Sequence, residues 1–179
     1  MRGYVLGACL LLCALPAAAA EERAPAALEP ADARLLFTAE ASGVQIYRSS
    51  ADAGGALHWE LVAPLARLTD TSQGVIYHYA GPSWEAADGS KVARDPTVPV
   101  VSVPSGNPMD IPSLLIAVAA DPAPGLLAHV TYVERLATHG GAAPSTPPVR
   151  PGSRIGVPYT ATYAFFAKAT SNAEATSGS

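Results

Sequence analysis

Residues 74–92 read GVIYHYAGPSWEAADGSKV, and the alternation that opens this stretch sets the fold class. Val75, Tyr77 and Tyr79 point to one side of an extended chain; Ile76, His78 and Ala80 point to the other. Period two in β-branched and aromatic residues marks a strand. Gly81-Pro82 ends it, because Pro brings no N–H to a ladder. Trp84-Glu85-Ala86 resumes extended structure. Asp88-Gly89 predicts a two-residue type I′ turn with φ > 0 at both central positions, and Ser90-Lys91-Val92 returns.

The same stretch is where His, Trp, Glu and Asp crowd together. A His beside a carboxylate has the chemistry of a general base, so His78, Glu85 and Asp88 are the candidate catalytic groups, with His139 further along. The plainer alternative stays open: His78 as a hydrogen-bonded strand residue, Trp84 as core, Glu85 as solvated, and Asp88 as a turn residue. The four histidines, His58, His78, His129 and His139, show no HExxH or other tight ligand spacing, so neither a metal nor a cofactor is expected.

Outward from this stretch the pattern repeats. Gly43 to Arg48 alternates, with Val44 and Ile46 opposite Gln45 and Tyr47, and Leu57 to Val62 alternates again. Val157 to Lys168 places Tyr159, Ala161, Tyr163 and Phe165 on one face. Leu126 to Ala137 reads as a long strand centred on Val130 to Val133. Val98 to Val103 is β-branched but bracketed by prolines, which fits an edge strand. Residues 113–120 are apolar throughout and fit a buried strand or a short helix; periodicity does not separate the two. Thr138 to Pro151 is a Gly- and Pro-rich loop in which Gly140-Gly141 follows His139. The expected fold is mainly β: one domain, an antiparallel sandwich or partly open barrel with at most one or two short helices. Its expected extent is 41–168, after a flexible arm at 21–40 and before a disordered tail at 169–179.

Residues 1–20 have the anatomy of a secretory signal peptide: Arg2, an apolar run from Val5 to Leu15, then Pro16 and four alanines. Its removal after Ala18 or Ala20 makes the chain secreted or periplasmic. Both cysteines, Cys9 and Cys13, lie in that leader, so the mature chain is expected to be free of disulfides. Of 11 basic residues one, Arg2, also leaves with the leader, against 15 acidic ones. The remaining cations are scattered, which argues against nucleic acid as a partner, and no later stretch is long and apolar enough to span a membrane as a helix.

Four pieces share an order and spacing with a known family: Gly43-Val44-Gln45-Ile46-Tyr47; His78 to Glu85 with Asp88-Gly89-Ser90; Thr138 to Gly141 with Pro144; and Val157 to Ala161. Together they resemble the DUF3455 family, secreted proteins with no established function. The HYAGPSWE…DGS piece is the specific one. Family members often carry a Cys after the first piece and another after the Gly-Gly loop; here those regions offer Ser49, Ser50 and Ser145, and the joint absence implies that the two cysteines pair in relatives. Many relatives have Trp where this chain has Ser113. Some fungal relatives are labelled malate dehydrogenase, but this chain has no Gly-x-Gly-x-x-Gly between a strand and a helix.

Three functions compete. The first is non-catalytic binding of a glycan or cell-surface component through Tyr47, Trp59, Tyr79 and Trp84, aromatic side chains suited to stacking, with the Glu85 carboxylate beside them. The second is a structural or envelope-stress protein. The third is a hydrolase using His78, Glu85 and Asp88.

Overall fold

The computed structural model describes residues 25–70, 72 and 74–169. Among these, nine strands account for nearly all regular structure: β1 (Ala33–Ala51), β2 (Leu57–Asp70), β3 (Gly74–Tyr79), β4 (Ser83–Ala86), β5 (Lys91–Arg94), β6 (Val101–Val103), β7 (Ser113–Ala120), β8 (Tyr132–Gly140) and β9 (Arg154–Lys168). One 3-10 turn at Ala26–Leu28 is the only helical element described.

The strands run β5-β4-β3-β2-β1-β9-β8-β7-β6, and β5 pairs again with β7. Every pairing is antiparallel. The second pairing closes eight strands into a ring of hydrogen bonds and leaves β6 outside it. β7 makes this possible by dividing one of its edges. Ser113 to Leu115 pair with β6, while Val118 to Ala120 pair with β5. Of the two architectures expected for a mainly β chain, the protein is therefore the barrel, and a closed one. Closure removes the exposed ladder edges that a sandwich must protect.

Alternation decides what fills the barrel. Tyr159, Ala161, Tyr163 and Phe165 of β9 are all buried, as their shared parity requires. Ala39 and Ala41 of β1, Leu68 of β2, Ile76 and His78 of β3, Trp84 of β4 and Val92 of β5 join them. Phe165 stacks on Phe37 with centroids 4.6 Å apart. Each large apolar side chain buried here stabilises the fold by roughly 1.5–3 kcal/mol. Residues 113–120 form a strand, with Ile116 and Val118 buried in the core.

Three expectations change. The domain does not begin at 41 after a flexible arm: β1 starts at Ala33, and Leu28 in the preceding turn is fully buried. That turn packs on β6 and β7, over the outer face of the barrel. A segment of mostly Ala, Glu and Pro carries no local signal that one apolar side chain, Leu28, finds a partner. Leu126 to Ala137 is not one long strand. It extends only from Tyr132, because Gly125 to Val130 turns twice, Ala128 N–H donating to the Gly125 carbonyl and Val130 N–H to that of Leu127. Leu127 and Val130 are buried and plug one end of the barrel. Finally, the β4–β5 connection is not a type I′ turn. Gly89 has φ +84, but Asp88 does not have positive φ. Gly89 N–H donates to Ala86 O, and Ala86 N–H to Ser90 O, so the loop has three residues and Gly89 takes the left-handed position. The signal peptide expected at 1–20 lies outside the described residues, as does the expected tail from 170 onward.

Candidate functional site

The end of the barrel opposite Leu127 is open. A cavity of about 490 Å3 lies there, between the rim of β1 and β2, the Gly81-Pro82 turn, and the approach to β7. Leu61, Val62, Ala63, Pro64, Ile111, Leu114 and Ile116 give it an apolar wall. Gln45, Tyr47, His78, Trp84, Arg135 and Tyr163 supply its polar atoms.

Strand pairing positions these groups. His78 lies opposite Trp84 across β3 and β4, and the two rings stack with centroids 4.5 Å apart and planes 7° from parallel. Tyr163 meets the His78 ring edge-on at 5.4 Å. The Nδ1–H of His78 donates to the Ser83 carbonyl at 2.9 Å, which fixes the neutral tautomer and leaves the lone pair on Nε2. Burial pushes the imidazole pKa down to about 4; the Ser83 hydrogen bond opposes this and the Arg135 charge adds to it. At neutral pH His78 is an uncharged acceptor.

Arg135 is 8% exposed. Its Nε and Nη2 donate to the Pro112 carbonyl at 3.2 and 2.9 Å, and among the described residues no carboxylate pairs with it. Its charge acts on Tyr47, His78, Tyr159 and Tyr163 alike. Desolvation nevertheless holds all three tyrosines protonated, above the ordinary phenol range. Tyr159 and Tyr163 hydroxyls lie 3.3 Å apart, and the Tyr47 hydroxyl donates to Gly141 O at 2.7 Å. Two donors on residues of this lining have no partner: Gln45 Nε2 and Trp84 Nε1, on side chains that are 2% and 0% exposed. A buried unmade hydrogen bond costs about 1–3 kcal/mol, so the fold tolerates a real penalty at this spot.

The residues singled out from sequence divide between this cavity and the outside. His78, Trp84 and Tyr47 line it. Glu85 does not. It pairs with Tyr77, on the opposite face from His78, and its carboxylate accepts a 2.6 Å bond from the Tyr79 hydroxyl. Lys91 lies 5.3 Å over the Tyr79 ring, so both Tyr79 and Glu85 are engaged on the outer surface. Asp88 is fully used in structure. Oδ1 accepts from Ser90 N and Oγ, and Oδ2 from Leu126 N, which ties the β4–β5 loop to the plug. Trp59 donates to Thr146 O. His139 is exposed, in a separate pocket with Ser105, Asp110 and Thr138. The Gly140-Gly141 pair shapes the cavity rim through the Tyr47 bond, not through His139. Among the described residues no three His, Cys, Asp or Glu side chains are grouped to hold a metal, and no helix is long and apolar enough to cross a membrane.

Sequence reasoning missed Gln45 and Arg135 as site residues. Their only signal was parity: each faces the barrel interior with the buried residues of its strand, but a polar residue on a strand is by default assigned to solvent.

Fold and site thus define a class: a small closed antiparallel β-barrel, plugged at one end and carrying a cavity with a cationic, donor-rich wall at the other. The chain belongs to the DUF3455 family, proteins of unknown function, whose model matches residues 30–167. No curated protein and no solved structure matches the chain.

Proposed function

We propose that this protein is a non-catalytic binding barrel that takes a small, largely apolar molecule into its open mouth. The observation that carries this reading is the cavity itself: about 490 Å3, walled by aliphatic side chains, with the Gln45 and Trp84 donors unpaired at its polar side. Ligand pockets run from about 300 to 1,000 Å3 and combine an apolar wall with a few convergent polar groups. An enclosed occupant accounts for the site better than a stacked glycan chain. Trp84 is fully buried, and Tyr79 and Trp59 are already engaged through Glu85, Lys91 and Thr146. A hydrolytic reading has less support, because Glu85 and Asp88 face away from His78 and are satisfied where they lie. Freed of its leader at 1–20, the barrel works in the periplasm or outside the cell, on a molecule drawn from the envelope or the medium.

Titration with the neutral fluorophore N-phenyl-1-naphthylamine tests this. Saturable one-to-one binding is expected in the wild type, with loss in Leu114→Trp, which fills the cavity, while circular dichroism and cooperative melting stay unchanged. Binding that is non-saturable, or equal in the two proteins, sinks the proposal.

A further inference from the structure

Arg135 is the one full charge in the cavity wall. A guanidinium taken out of water gives up its hydration, and only a well-placed counter-ion offsets that loss. Here the acceptors it meets are neutral: the Pro112 carbonyl and the Tyr163 hydroxyl. Everything else it faces is neutral: His78 as the free imidazole, Tyr47, Tyr159 and Tyr163 as protonated phenols. Glu134, its neighbour in sequence, points to the other face of β8, where it pairs with Leu115 and Ala164. The cavity therefore holds an uncompensated positive charge. Beside it sit two orphaned donors, Gln45 Nε2 and Trp84 Nε1, on side chains almost wholly buried.

Resting on the binding reading above, we propose that the ligand is an apolar monocarboxylate, an aliphatic or aromatic acid. Its carboxylate would sit in the polar part of the cavity with Arg135, Gln45 and Trp84, and its hydrocarbon part against Leu114 and Ile116. One cation with neutral donors matches a single negative charge spread over two acceptor oxygens, which is the carboxylate geometry a guanidinium recognises best. A phosphate dianion would bring a second charge for which the wall has no counterpart. A neutral alcohol or ester would leave the guanidinium unpaired, and the cost of its burial would remain. The aliphatic remainder of the lining selects an apolar body, and the volume of about 490 Å3 limits its size.

The test is competition against bound N-phenyl-1-naphthylamine by three ligands of one chain length: octanoate, octan-1-ol and octylamine. In the wild type, octanoate should displace the probe at a concentration at least about tenfold lower than octanol, as a charged hydrogen-bond partner implies, and octylamine should be the weakest. In Arg135→Met, octanoate should lose that advantage while octanol competes as before; Arg135→Lys should restore part of it. Equal displacement by octanoate and octanol in the wild type would overturn the carboxylate inference and leave the binding barrel standing. Displacement by none of the three, with no saturable probe binding, would overturn both. If Arg135→Met does not fold, the wild-type ranking of the three ligands decides alone.

Discussion

Two buried groups give folding opposite pH dependences, and replacing either one exposes the other. Burial lowers the His78 pKa from 6.5 to about 4, against the Ser83 bond and with help from Arg135. Burial also raises the Glu134 carboxyl from 4.5 to about 7, with the nearby Glu29 adding to the rise. As pH falls through 6.5 the unfolded chain protonates His78, while the folded chain does not until about 4. Stability from neutral His78 is thus fully present above 6.5 and is lost toward 4. Glu134 runs the other way: its neutral form favours the folded state in full below 4.5, and this is lost as pH rises through 7. One-site linkage between pH 7 and pH 5 gives a loss of about 2 kcal/mol from His78. It gives a gain of about 2 kcal/mol from Glu134, or about 1 kcal/mol once water at the outer face screens part of it. The wild type should therefore change little over this range. The perturbations are His78→Gln and Glu134→Gln, and the assay is urea unfolding at both pH values. Taking the difference between the two pH values within each variant cancels the packing cost of the substitution. His78→Gln should become more stable on acidification and Glu134→Gln less so, the two slopes having opposite sign. A His78→Gln protein whose pH dependence runs parallel to the wild type would refute the reasoning.

Three further outcomes follow from the geometry. Gly141→Ala should cost about 2–4 kcal/mol, since Gly141 has φ +84 and an added Cβ would meet Tyr159 Cβ at 2.9 Å and Ile111 Cγ2 at 3.0 Å; Gly152→Ala, at φ +74 with open space, should cost only the strain of about 1–2 kcal/mol, and equal losses in denaturant melts would disprove the crowding. Asp88→Asn should loosen the plug, because one of its acceptor oxygens becomes an amide while Ser90 and Leu126 still need acceptors; amide hydrogen exchange at Leu126 and Leu127 should speed up, and unchanged protection would contradict it. Reducing agent should leave the melting temperature of the leaderless protein unchanged, because both cysteines lie in residues 1–20; a shift of several degrees would show that one is retained.

Parity was the legible part of this fold. The faces of β3 and β9 could be read directly, because Tyr77 against His78, and Tyr163 against Thr162, follow from alternation alone. Tyr77 is indeed 50% exposed while His78 is buried. Closure was not legible. It depends on Val118 to Ala120 meeting Val92 to Arg94 across a long separation, and no local propensity specifies which edge a strand of Ala and Val will find. The plug was hidden for a related reason. Leu127 and Val130 look like strand residues, and the Leu126 and Leu127 N–H groups, donating to the Asp88 carboxylate and the Ser90 hydroxyl, help hold the turning segment across the barrel end.

The β4–β5 loop shows how little separates the two readings of the site. A two-residue Asp88-Gly89 turn would set Val92 opposite Glu85, shifting the ladder by one residue and sending Val92 to the outer face. The observed three-residue loop sets Val92 opposite Trp84, and both are fully buried. Local sequence favours the shorter turn; burial of a Trp-Val pair and the Asp88 bonds to Ser90 and Leu126 favour the longer one. The larger effect wins, since burying two apolar side chains is worth a few kcal/mol and turn preferences are smaller. The same register carries Glu85 outward to Tyr79 and keeps His78 on Trp84. Residues that crowd within eleven positions of sequence, His78 to Asp88, are thereby distributed between a cavity, an outer surface and a plug. The site that results is completed by Gln45 and Arg135, brought in from strands far along the chain.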